Sequence, residues 1–219
     1  MNSTFEIYKL FASVFTYPNE EVRSKIDELH NLLDKSYPDV SEVMNDFFEF
    51  TKTISKWKWE ELFTRTFDVQ AITTLDIGYV LFGDDYKRGE LLVNLNKEHQ
   101  EAGNDCGNEL ADNLANLLRL IPRMQNAEIR NELVEIIIIP ALDKIISEFN
   151  AESVSTKNKI YKRQHNTIID QSEDYGRIYL KPLTAINEIL KKDFNYIKPN
   201  NELSSNSFTK SIKTEIEID

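Results

Sequence analysis

An all-α, single-domain helical bundle is the fold this sequence predicts, on three observations. Apolar residues recur at three- and four-residue steps instead of alternating. The prolines at 18, 38 and 122 stand at the ends of these stripes, and none occurs from 39 to 121. A chain of 219 residues that is 41% hydrophobic, with 12 Phe, 9 Tyr and 2 Trp, is long enough to bury about 70% of its unfolded surface.

The elements follow in order. Phe5, Tyr8, Phe11 and Phe15 form a first stripe, closed at Tyr17-Pro18 because a residue before proline is pushed out of helical space. Val22, Ile26, Leu29 and Leu33 form a second, ended by Pro38. Val40, Val43, Met44, Phe47, Phe48 and Ile54 carry a third, and Trp59, Leu62 and Phe63 begin a fourth that runs toward "TFDVQ". After a glycine-marked turn at 82 to 85, Leu91, Leu92, Leu95 and Ala102 give a face stopped by Gly103 in the position of a helix-ending glycine. Leu110, Leu114, Leu117, Leu118 and Ile121 follow, stopped by Pro122.

From Ile129 to Phe149 the spacing predicts one long buried helix that Pro140 kinks or interrupts. Residues 150 to 174 are polar, a connection long enough to let helices exchange between two copies, so a monomer and a helix-exchanged dimer are both expected. Ile178, Tyr179, Leu183, Ile186, Ile189 and Leu190 give a last helix that closes the bundle, with Pro182 in its first turn. The helical domain thus spans 1–198, and the Asn- and Ser-rich residues 199–219 read as a disordered tail.

A formal charge of −11 argues against non-specific binding to nucleic acids or anionic membranes, and it fits either a basic partner or an acidic surface that merely keeps the protein soluble. The single cysteine, Cys106, excludes an internal disulfide and, with three scattered histidines, gives no metal-ligand spacing. Reducing cytoplasm is the expected location. The N-terminus lacks the basic flank and long apolar run of a secretory signal, and the longest apolar run, "IIIIPAL", is too short to span a bilayer. No spaced nucleophile, metal-binding helix or phosphate loop appears, so no enzyme and no cofactor are expected. His99 reads as a boundary residue beside a leucine face, and Cys106 receives no role.

Four stretches carry a resemblance: "WEELFTRTFDV" (59–69), "FGDDYKRGELLVNL" (82–95), "EAG" (101–103) and "ELADNL" (109–114). In this order and spacing the chain resembles the nitrate reductase delta-subunit/TorD family, cytosolic assembly chaperones of molybdenum-cofactor enzymes. It departs from the family pattern at Ala111, where E-L-P-D has proline, and at Asn113, where many members carry histidine.

Physically, Gly83 permits a tight turn before Asp84, which is placed to cap the next helix, and Gly89 permits close backbone approach. Glu109 and Asp112 fall in the first turn of the following helix, where negative charge is favoured. Arg88 reads as a structural partner of Asp68 or Asp84. The resemblance implies a groove for the N-terminal peptide of a reductase catalytic subunit, often a twin-arginine leader. Its expected peptide-binding residues are Trp59, Phe63, Phe67, Asp68, Phe82, Asp84, Arg88, Glu109, Asp112 and Asn113, with Trp57 as a further wall. Helical spacing suits aromatic residues in a core equally well, and both readings stand for each ring. The expected function is a cytoplasmic chaperone that binds the apoprotein of a molybdenum oxidoreductase. A permanent subunit of the reductase and a small helical nucleotide-binding protein are the alternatives.

Overall fold

The computed structural model describes residues 3–69, 71–149 and 177–198. Helices α1 (Ser3–Val14), α2 (Glu20–Ser36), α3 (Pro38–Thr53) and α4 (Lys56–Phe67) follow one another with short turns. A short α5 (Ile77–Phe82), then α6 (Tyr86–Glu101) and α7 (Leu114–Leu120), lead into a 3-10 turn at Ile121–Arg123. The chain continues through α8 (Ala127–Glu132), α9 (Ile139–Glu148) and α10 (Leu180–Asp193). Among the described residues the fold is all-α, and an isolated antiparallel bridge between Asp76 and Asn113 is the extended pairing it contains.

Local chemistry fixes the boundaries. Asn19 caps α2 by accepting from the Val22 amide at 2.9 Å, and Pro38 opens α3 where its missing N–H costs nothing. At the end of α6, Gly103 takes φ +59°. Its amide donates to Gln100 O and that of Asn104 to His99 O, which is the Schellman closure that favours glycine. The predicted break at Pro140 takes another form. The helix runs on from α8 to α9 through a π-helical turn at Leu133–Ile138, which widens the ladder just before proline, where an ordinary turn would meet the ring.

α1 packs on α2 and α7, α3 on α2 and α10, and α9 on α5 and α10. Phe11, Phe47, Phe48, Leu114, Ile138, Leu142 and Ile186 lie in one continuous core. Tyr179, at the entry to α10, is fully buried and makes edge contacts with Phe47, Phe63 and Phe67. Its hydroxyl accepts from the Trp59 indole Nε1–H at 2.9 Å. Burial holds that phenol above the usual tyrosine range. At the other end of α10, Asp193 accepts hydroxyl hydrogen bonds from Tyr8 and Tyr37, each at 2.6 Å. Asp143 on α9 meets Asn187 at 2.7 Å and Lys191 at 2.6 Å. The last helix is therefore held at both ends by polar contacts inside an apolar seat. The polar connection and the C-terminal tail singled out in the sequence lie outside the described residues.

Tyr179→Phe keeps the ring but leaves the Trp59 N–H without its acceptor, at a cost of about 1–3 kcal/mol. Urea unfolding is expected to show that loss. Trp59→Phe combined with Tyr179→Phe is expected to cost less than the sum of the single changes.

Candidate functional site

The chain leaves α4 at Phe67, crosses residues 71–76 and turns into α5. On the way the Thr73 amide donates to Thr66 O at 3.2 Å. The bridge follows: Ile77 N–H donates to Asp112 O at 3.0 Å and Leu114 N–H to Leu75 O at 2.8 Å. These bonds bring Asp76 and Asp112 to the first turn of α6, where Arg88 projects between them. Its Nε–H donates to Asp112 Oδ2 and an Nη2–H to Asp76 Oδ2, both at 3.0 Å, and its guanidinium lies 5.3 Å from the Tyr79 ring centre.

A cation in the first turn of a helix opposes the helix dipole, and Arg88 is largely buried. Burial works against its charge, but the two carboxylates outweigh it and hold the guanidinium above its usual range. Asp76 feels burial first and the Asp112 charge second, and its carboxyl is raised despite Arg88. Asp112 has no exposed surface, and its Oδ1 has no hydrogen-bond partner among the described residues. Gly78 makes room for this clamp. A Cβ there would lie 2.7 Å from Asp112 Oδ2 and 3.1 Å from Leu91 Cδ2, so α5 approaches the ion pair only because residue 78 has no side chain.

A second network pins the loop that delivers Asp112. His99 is buried in α6, not at its boundary as the sequence predicts, because the loop after Gly103 folds back over it. Its Nε2–H donates to Ala111 O at 3.0 Å, and its Nδ1 accepts from Asn104 Nδ2 at 2.8 Å. Ala111 O can only accept, which fixes the neutral tautomer. Asn116 Nδ2 donates to Leu110 O at 2.8 Å and to Cys106 O at 3.3 Å. Burial lowers the His99 pKa and raises that of the Cys106 thiol, the latter despite Arg119 nearby.

Beside the clamp lies a groove of about 630 Å³, lined by Phe67, Asp68, Thr73, Asp76, Tyr79, Val80, Arg88 and Glu148. Thr73 is 5% exposed, and its Oγ1 has no hydrogen-bond partner among the described residues. Asp68, at the end of α4, has no ion-pair partner there either. Partial desolvation raises its carboxyl above the ordinary range.

Of the residues predicted from sequence, Phe67, Asp68 and Arg88 meet at this groove. Trp59 and Phe63 do not form open walls: both are buried, because Tyr179 packs into the aromatic cluster they make. Trp57 is 71% exposed and lines no part of the groove. Phe82 is half-buried against the core. Asp112 is no rim charge, since Arg88 consumes it inside the protein. Arg88 pairs with Asp76 and Asp112, not with Asp68 or Asp84. The cap of α6 is Asp85, which accepts from the Lys87 amide at 2.9 Å, and Asp84 stays exposed.

Glu109 is exposed in the loop, because α7 begins only at Leu114, with Asn113 as its cap accepting from Ala115 N–H at 3.0 Å. The close backbone approach falls at Gly78, whereas a Cβ at Gly89 would meet nothing within 4 Å. Thr73, Asp76, Tyr79 and Glu148 were absent from the predicted set. One signal for Asp76 is available in sequence: an arginine in the first turn of a helix calls for carboxylates, and "TTLDIG" holds one just upstream.

Among the described residues no group of three His, Cys, Asp or Glu side chains is placed to hold a metal ion, and no helix is long and apolar enough to cross a membrane.

The His99 network predicts a pH dependence of stability. The folded pKa is depressed by burial, so below the ordinary value near 6.5 the unfolded chain takes up the proton more readily than the folded one. The contribution is fully present above about pH 6.5 and is lost as pH falls through the folded pKa. Unfolding midpoints in urea are expected to drop across that window in the wild type, and His99→Gln is expected to flatten this part of the profile.

Compared with known proteins, the chain matches no family model and no curated protein, so the resemblance rests on the residues quoted above.

Proposed function

We propose that this protein is an assembly chaperone that binds the apoprotein of a molybdenum-cofactor oxidoreductase through a basic, partly apolar N-terminal segment. The groove between α4, α5 and the end of α9 receives that segment. One observation carries the reading: among the described residues Asp68 is a carboxylate without a cation, and it lines a groove together with Phe67 and Val80. An arginine or lysine from a partner would supply the missing counter-charge, and the apolar lining suits the residues that follow it in a leader. Three of its lining residues, Phe67, Asp68 and Arg88, belong to "WEELFTRTFDV" and "FGDDYKRGELLVNL", two of the stretches that resemble the nitrate reductase delta-subunit/TorD family.

In this reading the chaperone performs no bond chemistry. It binds the open, cofactor-free client and loses it when folding buries the recognised segment, so cofactor insertion shifts the equilibrium toward release. Arg88, Asp76 and Asp112 shape the wall and do not contact the client's charge directly. The cytoplasm, where apoproteins are matured before export or membrane attachment, is the proposed place of action.

Affinity capture of the tagged protein from its own cells, with and without molybdenum starvation, tests this directly. The cofactor-free catalytic subunit is expected to be enriched under starvation and to carry a basic N-terminal segment. A peptide of that segment is expected to bind Asp68→Asn about 5- to 150-fold more weakly, equivalent to about 1–3 kcal/mol, and Asp84→Asn as tightly as wild type. Stoichiometric recovery of only the mature enzyme would replace the chaperone with a permanent subunit. Capture of no oxidoreductase in either condition would remove both readings.

A further inference from the structure

A second concavity lies between α1, α2, the end of α7 and the 3-10 turn, with a volume of about 370 Å³. In a chain of net charge −11 it gathers Lys9, Lys25, Arg119 and Arg123 along one lining. The two lysines are neutralised locally, Lys9 by Glu6 at 3.1 Å and Lys25 by Glu21 at 2.6 Å. The two arginines are not. Among the described residues neither makes an ion pair; Arg119 lies in α7 and Arg123 ends the 3-10 turn that follows it.

Each guanidinium is instead oriented by a neutral acceptor. Arg119 Nη2–H donates to the buried Asn116 Oδ1, and Arg123 Nη1–H donates to Gly103 O at 2.7 Å. The remaining N–H groups of both forks have no partner among the described residues. Burial lowers the Arg119 pKa, with the Arg123 charge acting in the same direction and Cys106 and Asp105 acting against it. A favourable helix dipole explains one cation in a last turn. It does not explain two forks that line one concavity, each oriented by a neutral acceptor.

We propose that this groove binds a small phosphate ester, its phosphate held between Arg119 and Arg123. A tetrahedral dianion offers acceptors to both forks at once, whereas a carboxylate satisfies one. Glu28, on the α2 side of the groove, has no ion-pair partner among the described residues and faces the organic part of the ligand. That part therefore bears a cationic or hydrogen-bond-donating group. The site is separate from the client groove and does not depend on the chaperone reading.

Calorimetric titration of the full chain with inorganic phosphate and with O-phosphoethanolamine, at constant ionic strength, tests the site. Saturable binding of one equivalent is expected, tighter for the amine-bearing ester, and weakened about tenfold or more in Arg123→Gln. Arg123 is exposed, so its replacement leaves the fold intact and the result interpretable. Glu28→Gln is expected to abolish the advantage of the amine. Binding that is absent, unchanged in Arg123→Gln, or weakened as much by Lys52→Gln would overturn the proposal, as would equal affinity for the two probes.

Discussion

The Arg88 clamp is the interaction on which the rest of the candidate site depends. One guanidinium joins the start of α6 to a carboxylate before α5 and to another before α7, so three segments are held at one point. The charge of Asp112, which has no exposed surface, is tolerable only with this partner, because an unpaired buried carboxylate costs several kcal/mol. The clamp in turn requires Gly78, since any side chain there would occupy the position of the Asp112 carboxylate. The groove wall made by Asp76, Tyr79 and Arg88 is thus a consequence of how the interior charges are satisfied.

Two further polar networks extend this logic. His99 and Asn116 hold the loop after α6 through its Ala111 and Leu110 carbonyls, and Asn104 ties His99 to the Asn116 carbonyl in α7, which sets where Asp112 enters. Trp59 with Tyr179, and Asp193 with Tyr8 and Tyr37, fix the ends of α10. In each case a polar group on one helix satisfies a group from a segment distant in sequence. Such pairs add less to stability than the apolar core around them but select a single arrangement of helices. The groove that results is acidic at Asp68 and apolar at Phe67, the combination a basic amphipathic segment requires.

The helices were legible where several turns repeat one apolar stripe. Val22, Ile26, Leu29 and Leu33 in α2, and Leu91 and Leu95 in α6, are buried as their spacing predicts. α5 was not, because Ile77–Phe82 spans less than two turns and shows no period. The start of α7 was misplaced because Leu110 continues its leucine register, yet Leu110 is 49% exposed and Asn113 is the cap. The aromatic residues of α4 fit core and groove alike in sequence. Tyr179, 120 residues from Trp59, decided for the core. The clamp was hidden for the same reason: its partners stand 12 and 24 residues from Arg88, and local periodicity carries no information about such pairs.

A double-mutant cycle between Arg88 and Asp112, followed by urea unfolding, tests most directly that this clamp organises the site. Arg88→Met or Asp112→Asn alone should cost about 3–5 kcal/mol, because each leaves the other group buried without its partner. The double variant should cost little more than the worse single one, a strongly non-additive outcome. Additive costs, or single variants within about 0.5 kcal/mol of wild type, would show that the three segments are held by apolar packing and that the clamp is incidental.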